Sequence, residues 1–230
     1  MKIRRLTGIL LLVASAAGLI FCGVTAFQDR RYNLISVILV LLACVPFYYA
    51  YEKKDGNIRR MVILAVMTAI AVVGRFVFVV LPGFKPVTAV VIIAGMYMGP
   101  EAGFLTGSLA AIISNMFFGQ GPWTPFQMLA WGLPGMIAGL PGIRKALKSK
   151  SVLVIYGVVT GFMYSAIMDI WTVLSMDGTF NWIRYGAALF TAIPVTIEYM
   201  AANVVFLMLG IGPMGTKLER IRLKHGIFDE

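Results

Sequence analysis

Eight runs of mostly apolar residues follow one another along the chain, at about 6–27, 33–51, 58–81, 87–99, 102–118, 125–141, 152–175 and 185–210. A helix of roughly 20 apolar residues crosses the hydrocarbon core of a bilayer. In lipid, helices and closed barrels alone satisfy their own backbone groups. The chain is 60% hydrophobic and 13% charged, with a mean hydropathy of +0.87. A soluble domain is about half apolar and about a quarter charged. The expected fold is therefore an all-α integral membrane protein, a helical bundle. No hydrophilic stretch is long enough for a soluble domain. The run at 87–99 is short, and a slightly tilted or partly re-entrant helix is expected there.

The net charge of +10 raises nucleic acid as a partner, but its placement points elsewhere. Lys2, Arg4, Arg5, Lys53, Lys54, Arg59, Arg60, Arg144, Lys145, Lys148, Lys150, Lys217, Arg220, Arg222 and Lys224 fall at connections on one side of the alternating runs. The opposite connections hold Arg30, Arg31, Lys85 and Arg184. The positive-inside rule then puts both termini in the cytoplasm of a multi-pass protein of the cell membrane. Loops Pro82–Pro86, Gly119–Thr124 and Met176–Arg184 become external. Lys2, Arg4 and Arg5 before Leu6 give the start the outline of a signal peptide. The run to Phe27 exceeds a usual signal core and a second run follows directly, so a retained span is expected. Cys22 and Cys44 lie within apolar runs and read as small buried hydrophobes. His225 is the only histidine. No metal or cofactor is expected.

Between two runs lies a dense polar insert, Asn115-Met116-Phe117-Phe118-Gly119-Gln120-Gly121-Pro122-Trp123-Thr124-Pro125-Phe126-Gln127. Its backbone would lack partners in lipid, so it is read as the lip of a binding cavity. Trp123, Gln127 and Trp131 recur at i, i+4 and i+8 and share one helical face if a helix starts near Trp123. An aromatic–amide–aromatic stripe suits a planar or polar organic ligand. The bland reading is an interfacial tryptophan belt, which accounts for Trp123 but not for Gln127 one turn deeper. Asn115 and Gln120 belong to the same insert.

Intramembrane charges are costly and face a bundle interior or a wet cavity. Arg75, Asp169 and Glu198 are such charges. Ligand contact stands against a structural ion pair, Arg75 with Glu198 or with Asp169. Asp169, beside Trp171 near the external end, is read as cavity-lining, and Lys85 lies between prolines in the first external loop. Ala65 and Ala69 form a small-xxx-small pair that permits close helix approach. Gly99, Gly103 and Gly107 form a second stripe, and Gly132, Gly135 and Gly139 a third, both read as internal packing. Gly210 to Lys217 superficially resembles a phosphate loop, but Thr216 rather than Lys follows Gly215. No catalytic motif is present.

Residues 58–212 resemble the substrate-binding S components of energy-coupling-factor (ECF) vitamin transporters. The resemblance rests on a six-helix block, on Ala65-xxx-Ala69 in its first helix, and on ligand-side loops after its first, third and fifth helices. Gly74-Arg75-Phe76, Phe84-Lys85-Pro86-Val87-Thr88-Ala89, Ser114-Asn115 and Phe118 to Pro125 look most like the cobalamin-type branch. The resemblance implies a small vitamin-like substrate and docking of Ala65 and Ala69 on a transmembrane coupling subunit that carries two ATPases. It divides the chain into two N-terminal transmembrane helices (1–57), a six-helix substrate-binding core (58–212) and a basic cytoplasmic tail (213–230). The two N-terminal helices depart from the six-helix pattern.

The expected function is the substrate-capture subunit of an ECF-type importer, not an enzyme, with no nucleic acid as partner. Its ligand is a vitamin or related micronutrient, with cobalamin or a precursor as candidate. The alternative is a stand-alone secondary carrier or channel, coupled through Asp169 or Glu198. The orientation has a direct test. With Cys22 and Cys44 replaced by alanine, a cysteine at position 121 is expected to react with an impermeant thiol reagent added outside, and one at position 148 is not. The opposite labelling pattern overturns the orientation.

Overall fold

The computed structural model describes residues 58–225, with Ile38, Leu42 and Val45 as isolated helical positions. The expected run at 6–27 therefore lies outside the described residues, and of the run at 33–51 only those three positions are described. Everything described is helix or short connection. The helices are α1 (Ile58–Val77), α2 (Val87–Met98), α3 (Pro100–Phe118), α4 (Thr124–Gly139), α5 (Pro141–Ala146), α6 (Lys150–Asp177), α7 (Trp182–Thr191) and α8 (Ile193–His225).

Among the described residues, four helices are long and apolar enough to cross a membrane: α1, α3, α6 and α8. Helix α2 has 12 residues, about 18 Å at 1.5 Å per residue, too short to cross the hydrocarbon core alone. It does not need to, because nearly every one of its side chains is buried in protein. The short run at 87–99 is thus a central helix walled by α3, α4, α8 and α1. Its end is set by Gly99, whose φ of 98° lies in the left-handed region, and by Pro100 in the first turn of α3. Glycine alone enters that region without a Cβ penalty, and proline fits a first turn, where no N–H is required.

Helices α3 and α4 form the closest pair. A Cβ on Gly103 would strike the Gly135 backbone, one on Gly107 the Trp131 backbone, and one on Gly139 the backbone at Gly99 and Pro100. The second and third glycine stripes therefore face each other, and α2 joins them through Gly95, which abuts the Gly135 carbonyl. Such packing replaces the hydrophobic drive that lipid does not supply. Helix α8 is held to α6 by polar contacts. Asn203 Nδ2 donates to Gly157 O at 3.2 Å and to Thr160 Oγ1 at 3.3 Å, and Thr196 donates to Ser165 at 2.6 Å. Gly161 makes room for the backbone of Met200.

The expected last helix, 185–210, differs from the structure at both ends. It is divided at Ala192, where Pro194 removes the N–H that would continue the ladder, so α7 ends at Thr191 and α8 begins at Ile193. Helix α8 then runs 33 residues to His225, with Pro213 inside it. Gly210 to Lys217 is thus part of a helix, with Tyr97 against Gly215. It forms no phosphate-cradling loop.

The connections after α1, α3 and α6 gather at one end of the bundle, and those after α2 and α4 at the other. Gly95→Ala is expected to lower stability by about 1–3 kcal/mol through overpacking, because the Gly135 carbonyl cannot withdraw. Gly186→Ala, with open space at its Cβ, is expected to keep or slightly raise stability, because alanine favours a helix more than glycine does. Thermal unfolding in detergent compares the two.

Candidate functional site

Arg75 leaves the last turn of α1 and turns into the bundle. Its Nη1 donates to Ser114 Oγ and, at 2.7 Å, to Asn115 Oδ1, both on α3. Asn115 passes the chain on. Its Nδ2 donates to Thr124 Oγ1 at 3.0 Å and to Gln127 Oε1 at 2.8 Å on α4. Gln127 Nε2 then donates to the Tyr164 hydroxyl at 3.2 Å on α6. One guanidinium, two amides and a phenol so connect four helices. Side chains bonded to one another across helices in this way favour one arrangement of the bundle.

Aromatic rings complete the shell. Trp131 stacks on Tyr164, with centroids 5.6 Å apart and planes 20° from parallel. Tyr199 of α8 meets Tyr164 edge-on at 4.8 Å. The Arg75 guanidinium lies over the rings of Phe118 at 4.6 Å and Trp131 at 5.1 Å, within cation–π range. These groups surround a cavity of about 40 Å³ lined also by Pro82, Gly83, Lys85, Val87, Thr88 and Asn203. One water occupies about 30 Å³ in the liquid, whereas small-molecule sites measure about 300–1,000 Å³. The space under its cover is therefore smaller than an organic ligand.

The cover is the segment between α1 and α2. Gly83 N–H donates to Glu198 Oε2 at 2.9 Å. Phe78 and Phe84 rest on Phe206 of α8, at 5.0 and 5.1 Å between centroids. Lys85 is half-buried in this segment. Burial, and secondarily the like charge of Arg75, hold its ammonium below the usual lysine range.

The expected residues separate into two groups. Arg75, Lys85, Gln127 and Trp131 line the cavity, and Asn115 stands directly behind it. Gln120 does not reach it. Gln120 braces the loop instead, donating to Ile112 O at 2.8 Å and accepting from Thr124 Oγ1 at 2.9 Å. Trp123 is exposed, its ring folded over Gly121. The stripe therefore loses its first member from the cavity: Trp123 caps α4, its carbonyl accepting from Gln127 N–H at 3.0 Å, but its side chain stays at the exposed end of the helix. Asp169 is buried in α6 outside the lining, and its Oδ2 has no hydrogen-bond partner. The expected ion pairs of Arg75 with Glu198 or Asp169 do not form, since its partners are neutral and Glu198 holds Gly83.

Sequence reasoning passed over Tyr164, Tyr199 and Asn203, and named Ser114 only within the stretch that carries the resemblance. A tyrosine midway along an apolar helix was the available signal, since a buried hydroxyl requires a partner. Glu198 drew attention by its charge, yet it is its neighbour Tyr199 that lines the cavity.

Comparison with known proteins decides the family. The family model described as "ECF transporter, substrate-specific component" matches residues 59–215. The chain belongs to that family. As an ECF substrate-specific component it is a substrate-binding membrane subunit of the cell membrane that works with ECF module subunits, rather than an enzyme. It is 31% identical over 128 residues to a UPF0397 protein of Aliivibrio fischeri strain MJ11, covering 48% of this chain and 69% of that protein. The UPF0397 protein of A. fischeri strain ATCC 700601 / ES114 matches to the same extent. No solved structure matches.

Asn115→Ala removes an acceptor from Arg75 and a donor from Gln127. In this component it is expected to cost about 1–3 kcal/mol, the usual penalty for orphaned buried groups. Thermal unfolding of the purified variant measures it, and an unchanged midpoint would show that the chain of hydrogen bonds does not carry the fold.

Proposed function

We propose that this component captures a vitamin-like organic solute at the external face, in the cavity between Arg75, Lys85, Gln127 and Trp131, and delivers it to an ECF module whose ATPases supply the energy. The observation that carries the reading is the cavity itself: a ring stack, an amide and two cations converge on it at the end of the bundle that the Lys/Arg asymmetry places outside. Asn115 acts from behind as the residue that orients Gln127. Gln120, Trp123 and Asp169 contribute at most to the rim and shell. Cobalamin or a precursor is the candidate that the sequence resemblance favours.

Ala65 and Ala69 are the proposed docking positions. Both are exposed on α1, among Met61, Val62, Val66 and Val73, which are exposed as well. Two alanines one turn apart let a partner helix approach closely. Docking there leaves the cavity, at the far end of α1, untouched.

The test separates the two faces. Ala65→Leu and Ala69→Leu are expected to abolish uptake by cells while the purified variants still bind the co-purifying ligand. Gln127→Ala is expected to weaken that binding by about tenfold, the worth of one hydrogen bond to a desolvated group, and Trp131→Ala by more. Normal uptake by both leucine variants overturns the docking assignment. Uptake that persists without the ATPases overturns the importer reading.

A further inference from the structure

The cavity has an uneven charge. Arg75 and Lys85 are both in its lining, and no carboxylate is. The nearest acids are otherwise placed: Glu198 accepts from Gly83 N–H, and Asp169 lies outside the lining. A cation inside a membrane bundle is ordinarily paired, and a second cation beside it adds repulsion. Neutral groups satisfy Arg75 only in part. Its hydrogen bonds all leave from Nη1, to Ser114 and Asn115. A guanidinium carries five N–H donors, so Nε and Nη2 keep theirs unspent, and neither is among the described polar atoms that are sealed without a partner. The guanidinium is held from behind by Asn115 and from its faces by Phe118 and Trp131, so it is fixed before any ligand arrives. A fixed fork with free donors matches the two oxygens of a carboxylate or phosphate.

We propose that the ligand taken by this cavity carries an anionic group, a carboxylate or a phosphate, bound between Arg75 and Lys85, with its organic body against the Trp131–Tyr164 stack. The proposal rests on the reading of this cavity as the substrate site and narrows its chemistry. An anion there neutralises Arg75 and relieves the repulsion between the two cations. Because Lys85 rides on the covering segment and Arg75 on α1, one bound anion also ties the cover to the bundle.

The experiment uses matched pairs that differ in the acidic group. Purified full-length protein is titrated with nicotinate against nicotinamide, pyridoxal 5′-phosphate against pyridoxal, FMN against riboflavin, and cobalamin against cobinamide, which lacks the nucleotide phosphodiester. In at least one pair the acidic member is expected to bind about ten- to hundredfold more tightly, the range for a hydrogen-bonded charge. The first pair reports a carboxylate and the others a phosphate. Arg75→Gln is expected to remove that preference. Lys85→Gln, on a segment outside the helices, is expected to reduce it with folding intact, which keeps the test open should Arg75→Gln unfold. Equal or tighter binding of every member that lacks the acidic group overturns the proposal. So does failure of all the acidic members to bind, or a preference that survives both variants. ATPase-dependent uptake of a neutral solute would sink the anion and leave the importer reading standing. A bound acid taken up without the ATPases would do the reverse.

Discussion

A guanidinium inside an apolar bundle governs the arrangement of everything near it. Arg75 cannot stay there without acceptors, and α3 supplies them as Ser114 and Asn115. Asn115 in turn needs acceptors for its own amide, which fixes Thr124 and Gln127 and hence the start of α4. Gln127 then sets the Tyr164 hydroxyl, and through it the stacking plane of Trp131. The polar insert that interrupts the apolar pattern is therefore the structural answer to one charge on another helix. Moving any member would strand a neighbour in surroundings where an unpaired polar group is costly.

The glycine contacts make this possible. Backbone-to-backbone packing of α2, α3 and α4 brings the helices close enough for short side chains to bond across them. The α2–α3–α4 block is thus a rigid wall. The segment from Phe78 to Pro86 reaches α8 through one hydrogen bond, Gly83 N–H to Glu198, and a group of phenylalanine rings.

Much of the fold was legible because it depends on local rules. Apolar run length marked the helices, and the Lys/Arg alternation kept the runs at 87–99 and 102–118 apart. The small-residue stripes marked the packing faces. The misses arose where geometry, rather than residue type, decides. Trp123 and Gln127 keep their helical spacing, but Trp123 is the cap of α4 and stays exposed, whereas Gln127 one turn deeper is buried. Glu198 and Tyr199 are adjacent, and adjacent residues on a helix point about 100° apart, so the conspicuous charge braced a loop while the tyrosine reached the cavity. Asp169 carried an intramembrane charge as Arg75 did, yet nothing in its spacing told which side of α6 it would occupy. The end of the last helix was missed because Gly210, Gly212 and Pro213 read as a stop, whereas α8 continues through them.

The length of α8 has a mechanical consequence. At 33 residues and 1.5 Å each it measures about 50 Å, while the hydrocarbon core is about 30 Å thick. Its surplus carries Lys217, Arg220, Arg222 and Lys224 on a rod continuous with the helix that presents Tyr199. Charges of this kind settle at the headgroup layer, and Pro213 lies between them and the spanning part of the helix. One helix is thus long enough to line the cavity at one end and to hold a basic group clear of the hydrocarbon at the other, as a keel hangs below its hull.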